Sequence, residues 1–241
     1  MNTLLYEGKS KSVFSGPGEN SYIIRYKDTA TAFNGEKKEE LAGKGRLNAA
    51  ISNFIFGYLA KNGVKTHLLK ELDETSILVK KAEIIMVEVI VRNMAAGSFS
   101  KKYGVPEGTE LKNTIIEFSL KSDTLGDPMI NVSHITAIGL ASKQDLDEMI
   151  LQAQKINGLL TALFLNVGIK LIDFKLEFGK WRTGCCTEII LCDEISPDSC
   201  RLWDAASNEK MDKDRFRRDL GGVLDGYRDV LERLQNVKTQ D

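Results

Sequence analysis

The chain has 241 residues, of which 42% are apolar and 28% charged, and only 4 are proline. That composition excludes a disordered or linker-dominated chain and suggests one domain or two intimate subdomains. Lys plus Arg total 33 against 34 Asp plus Glu, for a net charge of -1; this argues against a dedicated nucleic-acid binder, which needs a basic excess, but leaves room for a local basic pocket.

Residues 9–14 and 21–26 read as two strands. Gly16-Pro17-Gly18-Glu19-Asn20 between them is turn chemistry, so a hairpin is expected. From about residue 44 to 61 the period becomes helical: Leu47, Ile51, Phe54, Ile55, Tyr58 and Leu59 share one face, and Gly63 sits where a C-terminal cap belongs. Short strands are expected over 65–69 and 76–82. A longer one spans 84–92, where Val87, Val89 and Val91 alternate with Glu88, Ile90 and Arg92. Residues 104–131 read as irregular, with turn signals at Pro106-Glu107-Gly108 and Gly126-Asp127-Pro128. Ser142, with Asp145 three residues on, caps a long amphipathic helix whose stripe runs from Leu146 to Phe164 and which Gly168 ends. Strands over 170–179 and 188–195 follow, then a final helix from about Asp212 to Leu234. Strands cluster and helices do not alternate with them, so the expected class is α+β rather than a doubly wound parallel sheet.

The segment from Leu171 to Gly179 is the most informative. A strand sends alternate side chains to opposite faces. Ile172, Phe174, Leu176 and Phe178 therefore belong to a core face, and Leu171, Asp173, Lys175 and Glu177 to the other. A solvated face with ion pairs would explain this pattern. The next strand weighs against that reading, because Asp193 interrupts its apolar face of Ile189, Leu191 and Ile195. A carboxylate there is costly unless it is paired or bound to a cation. In an antiparallel ribbon Glu177 and Asp193 converge, which makes them a candidate magnesium pair. Gly8, followed by Lys9 and Lys11 with Val13 continuing their face, could cover polyphosphate; an exposed basic edge strand is the alternative. Arg92 leaves its strand beside Ala95-Ala96-Gly97-Ser98, with a planar fork suited to phosphate or carboxylate or to a nearby acid. Asp198 and Arg201 lie in a polar loop just beyond Asp193.

No apolar run approaches the roughly 18 residues of a membrane helix, and the start of the chain lacks the pattern of a secretory signal. Cys185, Cys186, Cys192 and Cys200 form no C-x-x-C pair, and His67 and His134 lie far off in sequence. Free thiols in a reducing cytoplasm are the expectation, ahead of a zinc site or a strained disulfide.

Taken in order, these segments resemble the phosphoribosylaminoimidazole-succinocarboxamide synthase (SAICAR synthetase) family. Leu171 to Gly179 fits one family signature and Glu88 to Ser98 another, with Met86 where a proline is usual. Gly8-Lys9-Ser10-Lys11, Gly43-Lys44-Gly45, Gly126-Asp127-Pro128, Ser196-Pro197-Asp198 with Arg201-Leu202-Trp203-Asp204, and Asp212-Lys213-Asp214-Arg215-Phe216 with Gly221-Gly222 complete the series. The resemblance implies a β-rich subdomain over 1–82 and a larger α+β one over 83–241, with ATP in the cleft between them. It implies a cytoplasmic, homodimeric ligase. The reaction joins L-aspartate to carboxyaminoimidazole ribonucleotide (CAIR) to give SAICAR, ADP and phosphate. Gly8, Lys9, Ser10, Lys11 and Val13 would face ATP. The backbone around Lys80, Ala82 and Ile84, with Met86 nearby, would line the adenine pocket, and Lys121 is a further nucleotide candidate. Arg92, Ser98 and Arg201 would hold the ribonucleotide. Asp173 and Asp198 would orient its base, with Asp127 a further candidate. Lys175 would neutralise charge on the activated carboxylate, and Glu177 and Asp193 would hold Mg2+. A small-molecule kinase and a catalytically silent nucleotide-binding module are the rival readings.

Overall fold

The computed structural model describes residues 2–237; Met1 and residues 238–241, the outer ends of the two expected subdomain ranges, lie outside the described residues. The first strands are β1 (Leu4–Glu7), β2 (Lys11–Ser15), β3 (Ser21–Tyr26), β4 (Thr29–Ala32) and β5 (Lys37–Glu40), followed by helix α1 (Lys44–Lys61). Strands β6 (Leu68–Glu71), β7 (Ser76–Lys80) and β8 (Glu83–Met94), helix α2 (Gly97–Tyr103), strands β9 (Glu110–Leu120) and β10 (Met129–Ile130), and helices α3 (Val132–Ala137) and α4 (Lys143–Asn166) come next. The chain then forms β11 (Ile169–Thr183), β12 (Cys186–Cys192), β13 (Cys200–Asp204), α5 (Asp214–Arg217) and α6 (Val223–Gln235). No helix among the described residues is long and apolar enough to cross a membrane.

Two antiparallel sheets dominate this α+β architecture. The smaller has the order β1-β2-β3-β7-β6; the larger has β10-β9-β8-β11-β12, with β13 also pairing β11. β2 and β3 form the expected hairpin, with Lys11 opposite Tyr26. The two sheets are joined where His67 N–H donates to Leu191 O at 2.9 Å and Leu191 N–H donates to Lys65 O at 2.9 Å. The principal core contains Ile51, Ile55, Phe56 and Leu59 of α1, the three valines Val87, Val89 and Val91 of β8, and the stripe of α4 from Leu146 to Phe164. α1 thus packs beneath both sheets rather than belonging to the smaller one alone. The α4 N-terminus is closed by the reciprocal bonds that its sequence signals: Asp145 N–H to Ser142 Oγ at 3.1 Å and Ser142 N–H to Asp145 Oδ2 at 3.0 Å.

The long strand β11 organises the larger sheet. Residues 177–183 pair with β12, and residues 169–174 pair with β13 along the same edge. The link between β12 and β13 therefore passes beside the middle of β11, where Lys175 N–H donates to Ser199 O at 2.9 Å.

The structure corrects the sequence reading in four places. The region expected to be irregular contains β9. Much of β9 is exposed and polar, so its strand character comes from the β8 ladder rather than from its own alternation. The final helix is two helices. Asp219, Gly221 and Gly222 have φ of 55°, 70° and 57°, a left-handed run that no right-handed helix accommodates. A register shift between Leu171 and Asp173 breaks the expected alternation in β11. Leu171 joins the principal core, while Ile172 packs instead with Ala96 and Trp203. Finally, the strand expected to reach residue 195 ends at Cys192, because Asp193 adopts φ 60°.

Candidate active site

A cavity of about 640 Å³ opens between the two sheets. Its floor follows from the register of the larger sheet: Asp173 pairs with Arg92, Lys175 with Ile90, and Glu177 with Glu88. All six residues line the cavity. The opposite wall comes from the smaller sheet and its loops, including Gly8, Lys9, Ser10, Lys11, Val13, Ile24, Val79 and Lys80. Val13, Ile24 and Val79 of this wall, with Ala82 and with Ile84 at the start of β8, form an apolar stretch, and most of the titratable residues of the cavity lie beyond it.

At the centre, the Lys175 ammonium faces three carboxylates. Glu88 Oε1 lies at 2.9 Å, Glu177 accepts a short hydrogen bond, and Asp193 Oδ2 lies at 3.7 Å. Burial alone would lower the Lys175 pKa, but Glu177, Asp193 and Glu88 outweigh it and hold the value well above the usual lysine range. Lys121 also reaches Glu177, at 2.8 Å, and Ser119 Oγ donates to Glu88 Oε2 at 2.8 Å. From the other sheet Lys11 pairs with Asp193 and lies 2.9 Å from Glu194 Oε1. Burial would raise the Asp193 pKa, yet Lys11, Lys175 and Lys121 keep it well below the ordinary carboxylate range.

A second cluster is built on Asp173, which is buried. Arg92 Nη1 donates to Asp173 Oδ2 at 2.9 Å, and Arg201 Nη1 donates to both carboxylate oxygens at 3.0 and 2.9 Å. Arg92 Nε is fixed by Glu117 at 2.6 Å and Arg201 Nε by Asp214 at 3.1 Å. Arg92 Nη2 lies 3.5 Å from Ser98 Oγ. Gly97 makes this packing possible: a Cβ there would stand 2.2 Å from Arg201 Nη2. A third cluster holds Asp198. Its Oδ2 lies 2.7 Å from Lys44 Nζ and 3.6 Å from Lys213 Nζ, and its Oδ1 accepts from Tyr227 Oη at 2.6 Å. Burial works against its ionisation, but Lys213 and Lys44 hold the carboxyl far below its usual value.

Of the residues singled out in the sequence, Gly8, Lys9, Ser10, Lys11, Val13, Lys80, Ala82, Ile84, Arg92, Ser98, Lys121, Asp127, Asp173, Lys175, Glu177, Asp193, Asp198 and Arg201 all line this one cavity. Met86 does not. It shares its face of β8 with Ile84 and Glu88 but is absent from the lining; it is 45% exposed, and its carbonyl accepts from Lys121 N–H at 3.2 Å. Asp193 meets Glu177 around Lys175, but by leaving the strand rather than by continuing its face. Asp173 and Asp198 also line the cavity, each paired with cations of the protein itself, Arg92 and Arg201 for the first and Lys44 and Lys213 for the second. Lys9 reaches across to Asp123 Oδ1 at 2.9 Å.

The sequence reading passed over Glu88, Glu194, Lys44, Lys213 and His67. Glu88 had a signal, since it shares a face with Ile90 and Arg92. Lys44 had one in its two flanking glycines. His67 had none: it is buried against Phe56, with ring centroids 5.3 Å apart.

The cleft thus defines a class of protein: two antiparallel sheets enclosing one cavity lined by paired lysines, arginines and carboxylates. A family model described as SAICAR synthetase matches residues 4–234. A phosphoribosylaminoimidazole-succinocarboxamide synthase from Finegoldia magna is 52% identical over 231 residues, covering 96% of this chain and 98% of the relative. The enzyme of that name from Rhodospirillum centenum is 50% identical, covering 95% and 91% respectively. The crystal structure of the Ehrlichia chaffeensis synthase superposes with a TM-score of 0.94 at 46% identity, covering 96% of this chain and 98% of that one. A SAICAR synthetase solved in complex with ADP superposes with a TM-score of 0.91 at 42% identity, covering 95% and 96%. The chain belongs to the SAICAR synthetase family.

His67 also generates a pH prediction. Burial pushes its imidazole down to about 3, against an unfolded value of about 6.5. Between those values the unfolded chain binds the extra proton, so stability is full above the upper one and falls as pH drops. Urea unfolding should show a slope approaching about 1.4 kcal/mol per pH unit in that window. His67→Leu should flatten it; an unchanged slope would assign the acid sensitivity to other groups.

Proposed function

We propose that this chain joins L-aspartate to the carboxylate of CAIR, consuming ATP and releasing SAICAR, ADP and phosphate. The observation that carries the reading is the order of charges along one cleft. Arg92 and Arg201 with Ser98 meet at Asp173, Lys175 two residues along β11 gathers Glu88, Glu177 and Asp193, and Lys11 of the smaller sheet reaches Asp193 in turn, with Lys9 on the same lining. Family membership and the relative solved with ADP support the nucleotide half of the reading.

The chemistry requires this arrangement. A carboxylate is a poor electrophile and has no leaving group that an amine can displace. Transfer of the ATP γ-phosphoryl group to a CAIR carboxylate oxygen supplies one. The aspartate amine then attacks the carbonyl carbon, the C–O bond to phosphate breaks, and the amine proton is lost. Such transfer is accelerated mainly by positioning and charge neutralisation. Lys9 and Lys11 steady the polyphosphate, and the apolar wall of Val13, Val79, Ala82 and Ile84 receives adenine. Arg92, Arg201 and Ser98 hold the ribonucleotide's phosphate or carboxylate. Asp173 keeps both arginines aligned, and Asp198 does the same for Lys44 and Lys213. Lys175 neutralises charge gathering on the activated carboxylate.

Glu177 and Asp193 fit a magnesium ion. Both are hard oxygen donors, and both already converge on the Lys175 ammonium. Magnesium needs only one or two carboxylates when phosphates complete its shell. Bound there, the ion would neutralise phosphate oxygens of ATP. The smaller sheet, within residues 1–82, acts as the nucleotide cover, and residues 83–241 carry the ribonucleotide and metal residues. A homodimer in the cytoplasm is the proposed setting, following the family likeness.

An ADP-release assay with each substrate omitted in turn tests the reading. Sustained release should require ATP, CAIR and L-aspartate together; sustained release without L-aspartate, with a phosphorylated product accumulating, would replace the ligase by a kinase. In the same assay Lys175→Ala should lower kcat by at least about a hundredfold, the scale for one lost electrostatic stabiliser. Near-normal turnover in the folded variant would remove that role. Gly97→Ala should displace Arg201 and raise the KM for CAIR by about tenfold, equivalent to about 1.4 kcal/mol, with little change for ATP. An unmoved KM for CAIR would take Arg201 out of the ribonucleotide site.

A further inference from the structure

The hairpin joining β11 to β12 turns through Gly184 and Cys185, with Thr183 and Cys186 as its last register pair. Gly184 supplies the left-handed φ of 58° that so tight a turn needs. Along a regular strand, adjacent side chains leave opposite faces, which keeps neighbouring sulfurs apart. The turn overrides this. Cys185 Sγ and Cys186 Sγ lie 4.0 Å apart, and both residues are exposed. The other two cysteines, Cys192 and Cys200, are buried, and burial raises the pKa of both thiols. The hairpin tip is therefore the reactive thiol site of the chain, and it plays no part in the proposed reaction.

We infer that Cys185 and Cys186 form a dithiol site that chelates one thiophilic acceptor of the trivalent arsenical class. Trivalent arsenic is pyramidal, with an S–As–S angle of roughly 100°, so two bonds of about 2.3 Å bring the sulfurs to roughly 3.5 Å, a small side-chain rotation from the 4.0 Å observed. A direct disulfide fits less well. It needs sulfurs about 2.05 Å apart and Cα atoms usually at least about 4.4 Å apart, whereas adjacent Cα atoms across a trans peptide are held at about 3.8 Å. The pair is thus spaced for a bridging atom. Among the described residues no cluster of three or more His, Cys, Asp or Glu side chains could hold a metal ion. A four-ligand zinc centre is accordingly not formed at the tip, and the site suits an acceptor satisfied by two sulfurs. With an aryl arsenic(III) oxide, two S–As bonds form. The arsenic-bound oxygen takes both thiol protons and leaves as water, and no atom changes oxidation state.

Phenylarsine oxide is the probe. Intact-mass measurement of the folded chain should find one phenylarsenic group less two hydrogens, and thiol titration after unfolding should fall from the 4 cysteines of the sequence to two. Excess 2-mercaptoethanol should leave the adduct in place, and 2,3-dimercaptopropanol should remove it. Cys185→Ser and Cys186→Ser should each weaken retention by about a hundredfold, the gain that linking two contacts provides. Two adducts per chain, ready release by the monothiol, or full retention in the Cys185→Ser/Cys186→Ser double variant would each overturn the assignment.

Discussion

The cleft depends on one arrangement: a single ammonium, Lys175, set among carboxylates from three separate stretches of chain. Glu88 comes from β8, Glu177 from β11, and Asp193 from the link after β12. Three acids gathered in a partly buried space repel one another and lose much of their hydration. Lys175, helped by Lys11 and Lys121, makes their proximity tolerable. The same rule organises the rest of the cavity. Asp173 is held between two arginines, and Asp198 between two lysines and a tyrosine hydroxyl. Every one of these groups is a partner across elements, so the charges fix the elements as firmly as the elements fix the charges.

The topology explains how one strand supplies so much of this. β11 pairs with β8 along one edge and with β12 and then β13 along the other. The link from β12 to β13 must leave the ladder and return within a few residues. It leaves at Asp193, whose left-handed backbone ends the strand and swings the carboxylate beside Lys175. A break in the ladder thus provides both a flexible set of directions for acidic side chains and free space above the strand. The register shift near Ile172 works in the same way, since it keeps Asp173 on the cleft face while Ile172 fills the gap against Trp203.

Much of this was legible in the sequence where a local rule governed. The stripe and capping box of α4 follow from spacing alone, and the alternation of Glu88, Ile90 and Arg92 with three valines describes the two faces of β8 correctly. The alternation of β11 was legible from Asp173 onward and failed before it, because a bulge is a property of the paired strand and not of the residues themselves. Asp193 was noticed for a sound reason, the cost of a carboxylate on an apolar face, although the chain meets that cost by leaving the strand. The buried pair of Lys44 with Asp198, 154 residues apart in sequence, has no local pattern. Neither has His67, whose neutrality comes entirely from what packs around it. The α5–α6 break was available in Asp219 and Gly221-Gly222 but was hidden by a continuous hydrophobic period on either side.

The charge lattice also bears on how ligands enter. The carboxylates proposed for magnesium are already neutralised by Lys175, Lys121 and Lys11, and Lys11, one of the lysines proposed for polyphosphate, is already neutralised by Asp193 and Glu194. A lone divalent ion would have to compete with ammonium groups for Glu177 and Asp193. A lone polyphosphate would have to draw Lys11 away from the same acids and leave them unpaired. If the two arrived together, Glu177 and Asp193 would exchange ammonium groups for the cation, and the lysines so released would be free to meet the phosphates. Neutrality would then be conserved at each position, without the large desolvation cost of leaving a buried charge unpaired. On the proposed reading, the ion pairs of the self-paired cleft stand where the opposite charges of a metal–nucleotide complex would replace them.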